Sequence, residues 1–180
     1  MRLLKENVIG VVVDIQERLF PHINDHEQLE KNTKILVQGL KALDVPVLVT
    51  EQYKKGLGNT IEGIEALVKD DPHFEKMAFS CCGEPSFMEA IETSSKRVVI
   101  LAGMEAHICM LQTAIDLKER GFTPVIVEDC VSSRTEANKN IALKRFRHEG
   151  VIITSYESIL FELCRVAGSD AFKTISKLVK

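Results

Sequence analysis

Val8-Ile9-Gly10-Val11-Val12-Val13-Asp14 is the stretch that decides the architecture. Its first six residues carry no polar side chain and are mostly β-branched, so they read as a strand covered on both faces, the setting of an inner strand in a parallel sheet. The same pattern returns at residues 45–50, 97–102, 123–128 and 151–154. Helical patterns separate these runs. Asp25 with Gln28 forms a capping pair ahead of an amphipathic stretch reaching Leu43, Ser133 with Glu136 precedes Ile141, Leu143 and Phe146, and Thr154 with Glu157 opens a stretch running from Ile159 to Val166. Gly121 and Gly150 each follow a basic last turn, where a helix should stop. Parallel neighbours cannot be joined by tight turns, so strands alternating with helices predict right-handed crossovers and a doubly wound α/β sheet with helices on both faces. Residues 51–86, which include Gly56, Gly58, Gly63, Gly83, Pro72 and Pro85, show no clear pattern and read as a long loop, functional or disordered.

The chain has 180 residues, 45% hydrophobic and 27% charged, which suits one globular domain over 1–180 with a core that needs neither disulfide nor metal. A net charge of −3 without basic residues clustered beside aromatics argues against nucleic acid as a partner. The apolar run ending at Val13 falls far short of the ~20 residues of a membrane span, and no leader pattern precedes it. Five cysteines, none in a CxxC pair or at zinc spacing, read as reduced thiols of a cytoplasmic protein.

In open α/β sheets ligands bind beyond the carboxyl ends of the strands. Here those ends deliver Asp14, Glu51 with Gln52, the loop 103–109, and Asp129. Asp14, at a partly buried strand end, can serve as a base, or it can cap a helix or brace a loop. Cys109 lies in the first turns of a helix running to Arg120, off the apolar stripe of Ile108, Leu111 and Ile115. Free amides there favour thiolate, so its pKa is expected to be depressed; the competing reading is core packing. Cys81, Cys82, Cys130 and Cys164 are assigned to packing or surface. Lys76, between Phe74 and Phe79, either snorkels to water or stands beside a thiolate. His107 is two positions from Cys109 and so points away from it on a helix, and His22 with His26 lacks the HExxH frame. The apolar face of Phe172, Ile175, Leu178 and Val179 packs either internally or on a partner.

Four motifs occur in order: Val12-Val13-Asp14-Ile15-Gln16; Lys76 followed by Phe79-Ser80; Gly103-Met104-Glu105-Ala106-His107-Ile108-Cys109 followed by Thr113-Ala114-Ile115-Asp116; and Glu128-Asp129-Cys130-Val131-Ser132-Ser133-Arg134. With them, the chain from Val11 to about Leu163 resembles the isochorismatase-like cysteine hydrolases. Thr50-Glu51-Gln52-Tyr53 and the Gly-Met-Glu-Ala-His form of the cysteine loop place it nearest the isochorismatase-domain-containing branch. The resemblance implies a Rossmann-like hydrolase fold, a small-molecule substrate, a homo-oligomer, and a triad of Asp14, Lys76 and Cys109. In that scheme the aspartate takes the thiol proton, the lysine stabilises charge, and the thiolate attacks an amide carbonyl to give a thioester that water hydrolyses. It also implies a cis Met104–Glu105 bond, oxyanion donors in the amides of Glu105 and Cys109, and Gln16, Gln52 and Phe79 as pocket candidates. Nicotinamidases of the family hold a metal through Asp and His after the second strand; Thr50-Glu51-Gln52-Tyr53 has no histidine, so no metal or cofactor is implied. Isochorismatases that cleave a vinyl ether lack this cysteine, which favours C–N hydrolysis. The alternatives are ether cleavage without covalent catalysis, or a non-hydrolytic thiol redox or oligomeric scaffold protein. On these readings Asp14→Asn costs turnover far more than stability.

Overall fold

Each of the apolar runs becomes a strand, and a sixth strand joins them. In the computed structural model, which describes residues 1–180, β1 (Val8–Val13), β2 (Val47–Gln52), β3 (His73–Lys76), β4 (Val98–Met104), β5 (Thr123–Ser132) and β6 (Ile152–Thr154) form one sheet ordered β3-β2-β1-β4-β5-β6. Every neighbouring pair is parallel. The helices are α1 (His26–Ala42), α2 (Lys54–Leu57), α3 (Glu62–Val68), α4 (Pro85–Thr93), α5 (Leu111–Glu119), α6 (Glu136–His148), α7 (Tyr156–Cys164) and α8 (Asp170–Leu178). Val8 and Val12 of β1 enter the core layer shared with α1, α3, α7 and α8, while Ile9, Val11 and Val13 enter the layer shared with α4, α5 and α6. That double coverage is why β1 shows no polar alternation. The chain is therefore the doubly wound α/β sheet its pattern predicts.

The strand order reverses between β1 and β4, and a crevice at such a switch point is where this architecture binds ligands. Residues 51–86 are a correction. They are not a loop but the end of β2, then α2, α3, β3, a single helical turn at Cys81–Gly83 and the start of α4. The strand His73–Lys76 escapes sequence reading because it is four residues long, sits at the sheet edge and has no β-branched residue.

Three helix caps also differ from expectation. Asp25 adopts a left-handed φ of 53° and caps nothing, while Gln28 Nε2 donates to Asn32 Oδ1 (2.6 Å). Thr135 rather than Ser133 caps α6, and Ser155 rather than Thr154 caps α7. Strand pairing explains the last two. β5 stays paired with β4 through Ser132 and Ser133 Oγ meets His107, while Thr154 pairs with Val127. Gly121 (φ 82°) and Gly150 (φ 70°) end helices in the left-handed conformation, as read. The C-terminal apolar face packs on its own chain: Ile175 is fully buried and the Phe172 ring lies 6.2 Å from that of Phe161. No helix is long and apolar enough to cross a membrane.

Candidate active site

Asp14 follows β1 directly, with a left-handed φ of 53°, and its N–H donates to Thr50 O (3.0 Å), so β2 holds it in place. Its side chain is 1% exposed. Oδ1 accepts from Thr50 Oγ1 (2.7 Å) and Oδ2 from Lys76 Nζ (2.7 Å). Lys76 reaches it because β3 pairs with β2 in a register that sets Lys76 beside Gln52. The lysine does not snorkel: it is fully buried, and Nζ also donates to Gln52 Oε1 (2.7 Å), Phe79 O (2.9 Å) and Ala78 O (3.3 Å). Burial alone pushes the ammonium pKa down, but the Asp14 carboxylate, with help from the two nearby thiols, more than offsets burial and holds it above the ordinary lysine value.

Cys109 lies in a π-helical turn, Ala106–Met110, that leads into α5. Here the structure reverses the expected pKa. Burial and then the facing Asp14 carboxylate push the thiol well above its ordinary value, and Lys76 recovers only part of the shift. Desolvation therefore outweighs the helix N-terminus, and Cys109 rests as a protonated thiol needing a base. Its loop starts at Gly103, where a glycine is obligatory. φ is +135°, and a Cβ would sit 2.1 Å from Val13 O on the adjoining strand. The Met104–Glu105 peptide is cis. Glu105, 5% exposed, accepts at Oε2 from both the backbone N–H and Nε of Arg134 (3.1 Å each).

These groups open on a cavity of about 250 Å³, with Asp14, Gln52, Glu105, Cys109 and Arg134 as its polar lining and Leu19, Leu57, Phe79, Met104 and Ile108 as apolar walls. Of the sequence-derived residues, Asp14, Cys109, Met104, Glu105, Gln52 and Phe79 line this cavity, and Lys76 stands behind Asp14. Gln16 does not line it. Its amide is spent on Gln52 O (3.0 Å), Gly58 O (2.8 Å) and Gln52 N (2.7 Å), so it braces the end of β2 rather than facing a pocket. Glu51 is a brace as well. Burial raises its pKa, but bonds from Lys54 Nζ (2.6 Å) and Thr60 N (2.8 Å) bring it below the ordinary carboxylate value. His107 turns to Ser133 Oγ (3.0 Å), away from any role as a base for Cys109.

Cys81, assigned to packing, is fully buried beneath the site with Sγ 3.7 Å from Thr50 Oγ1, and burial pushes its pKa up to about 11. Sequence reasoning gave no role to Thr50, Arg134, Leu19 or Leu57. Arg134 ends the fourth motif, but only the fold brings it against Glu105. A larger groove of about 670 Å³, near Lys5, Leu43 and Cys164, gathers none of the motif residues. No three His, Cys, Asp or Glu side chains converge in an arrangement that could hold a metal.

The family profile described as the isochorismatase domain matches residues 9–158. The chain is 38% identical over 184 aligned residues to the secreted isochorismatase effector Isc1 of Phytophthora sojae, spanning 99% of this chain and 87% of that protein. Among solved structures it is similar to the MAR1 ribonuclease of Caenorhabditis elegans, with a TM-score of 0.94, 33% identity, and coverage of 99% of this chain and 92% of that one. The YcaC gene product of Escherichia coli, described as an octameric hydrolase of unknown specificity, superposes with a TM-score of 0.92 over 99% of this chain and 89% of that one. At 22% identity that likeness shows the fold alone.

Proposed function

The chain belongs to the isochorismatase family, and from that premise we propose that it hydrolyses a small amide or related C–N bond, with Cys109 as nucleophile, Asp14 as base and Lys76 as its charge partner. The carrying observation is the buried Asp14–Lys76 pair (2.7 Å) set against the Cys109 thiol in the wall of one small cavity. Because burial and Asp14 raise the thiol pKa, nucleophilic attack requires proton removal, and Asp14 is the carboxylate placed to do it. Asp14 takes the S–H proton as Sγ bonds to the carbonyl carbon, and the carbonyl oxygen takes the negative charge. The backbone amides of Glu105 and Cys109 are the donors assigned to that oxygen. Collapse breaks the C–N bond, and the proton held by Asp14 leaves on the departing nitrogen. Water then hydrolyses the thioester, releasing the acid and restoring the thiol. Lys76 keeps one compensating positive charge beside the site as negative charge passes from Asp14 to the carbonyl oxygen.

The test is acyl capture. Chelator-treated protein incubated with p-nitrophenyl acetate, or with a set of small primary amides, should carry one acyl group on Cys109 by peptide mass spectrometry. Turnover should survive the chelator, since every step uses side chains of this chain. Turnover that persists in Cys109→Ala would instead indicate ether-type hydrolysis without covalent catalysis, the reading to which the name of the Phytophthora relative points.

Self-association and a cytoplasmic setting belong to the same proposal. The first is supported by the octamer described for the Escherichia coli relative and by Tyr53, Met77 and Phe79, which stay exposed beside the cavity. Sedimentation equilibrium should give a multiple of the 20.2 kDa chain mass; a monomer at all concentrations would refute it.

A further inference from the structure

Glu105 is the one carboxylate of the cavity whose bonding is incomplete. Asp14 receives a donor on each oxygen, from Thr50 and Lys76. Glu105, although 95% buried by its 5% exposure, receives both of its donors on Oε2, and Oε1 accepts nothing from the protein. Oε1 is not walled off either: it keeps some exposure, and Glu105 lines the cavity. A buried carboxylate oxygen without a donor is costly, and where it opens on a cavity the missing donor comes from what enters. Arg134 holds this arrangement from the side through its backbone N–H and Nε, which leaves Oε1 as the free position.

Charge and size narrow the ligand. Lys76 pairs with Asp14 (2.7 Å) and Arg134 with Glu105 Oε2, so the charges around the cavity balance, and the unpartnered Oε1 is the negative position that an entering carboxylate would meet. At about 250 Å³ the cavity lies below the ~300–1,000 Å³ of sites for drug-sized ligands, and most of its wall is apolar. We infer that Glu105 Oε1 selects the substrate, accepting an N–H from a small uncharged molecule, a primary carboxamide on a compact apolar body, and turning away its carboxylate-bearing analogues. This deepens the proposed function and rests on Cys109 reacting inside this cavity.

Two alkylating agents test it without any need for hydrolysis. Iodoacetamide and iodoacetate deliver the same reacting carbon on heads that differ only as carboxamide and carboxylate. The ratio of their rates at Cys109, read by peptide mass spectrometry at neutral pH and divided by the ratio for β-mercaptoethanol, should favour the amide by at least about tenfold. Glu105→Gln should bring that quotient to within about threefold of unity. A wild-type preference for iodoacetate, or a quotient untouched by Glu105→Gln, would overturn the inference. Should Glu105→Gln fail to fold, the unaltered protein still decides. Isobutyramide should slow alkylation of Cys109 and isobutyrate should not, and the reverse order refutes the assignment. Amide preference without acyl capture would sink the hydrolase reading and spare this one; acyl capture without amide preference would do the opposite.

Discussion

Lys76→Met should lower the unfolding free energy by about 3–5 kcal/mol, roughly 6–20 °C in Tm for a chain of this size, although it replaces a charged residue with an apolar one. A surface lysine would cost almost nothing to replace. This one is fully buried, with four acceptors around Nζ, and its loss leaves Asp14, 1% exposed, without its counter-charge. Thr50 Oγ1 is then the only side chain still donating to that carboxylate. Urea denaturation of both proteins measures the difference; a shift below about 0.5 kcal/mol, the range of ordinary surface substitutions, would rule out a buried pair. The pH dependence has a definite sign. The folded-state pKa of Lys76 lies above the unfolded value of 10.5, so its contribution is complete below that pH and is lost as pH rises through the folded value. The gap between wild type and Lys76→Met should stay level from pH 6 to 9, an interval well below that value, and narrow in stronger alkali.

Asp14→Asn should reduce acyl turnover by about 10²–10⁴-fold, the usual span for loss of a general base. Its side effects differ from what the sequence suggests. At a strand end the change looks nearly isosteric and cheap, but in the fold it strands a buried ammonium, so a stability loss approaching that of Lys76→Met accompanies it. Alkylation separates chemistry from damage. Burial and the Asp14 charge together raise the Cys109 pKa, and Lys76 lowers it. Removing the Asp14 charge while keeping Lys76 brings the thiol pKa down, and iodoacetamide should label Cys109 faster in mildly alkaline buffer, even as turnover collapses. If turnover falls only in proportion to the loss of folded protein, Asp14 serves structure only.

Much of the site could be anticipated from residue types. Asp14, Glu105 and Cys109 stand at carboxyl ends of apolar runs, and a doubly wound sheet collects such ends at one edge. Thr50 could not be anticipated, because its hydroxyl matters only through the register that sets it beside Val13, one residue before Asp14. Gln16 misled in the opposite direction. A glutamine two residues after the aspartate suggests a polar pocket wall, yet the chain turns and spends it on the backbone of Gln52 and Gly58.

By itself the sequence determined the sheet class, five of the six strands and the helix stops at Gly121 and Gly150, because these depend on periodicity and on backbone permissions carried by each residue. It did not determine β3, the caps of α6 and α7, or the ionisation of Cys109. An edge strand of four residues exists only by pairing with β2. A hydroxyl caps a helix only from the residue at its mouth, and Thr154 is still paired in β6 while the Ser133 hydroxyl meets His107. A thiol at the mouth of a helix is acidic only while water reaches it, and tertiary burial opposite Asp14 reverses the sign, because desolvation and a like charge at short range exceed the partial charge of a helix end.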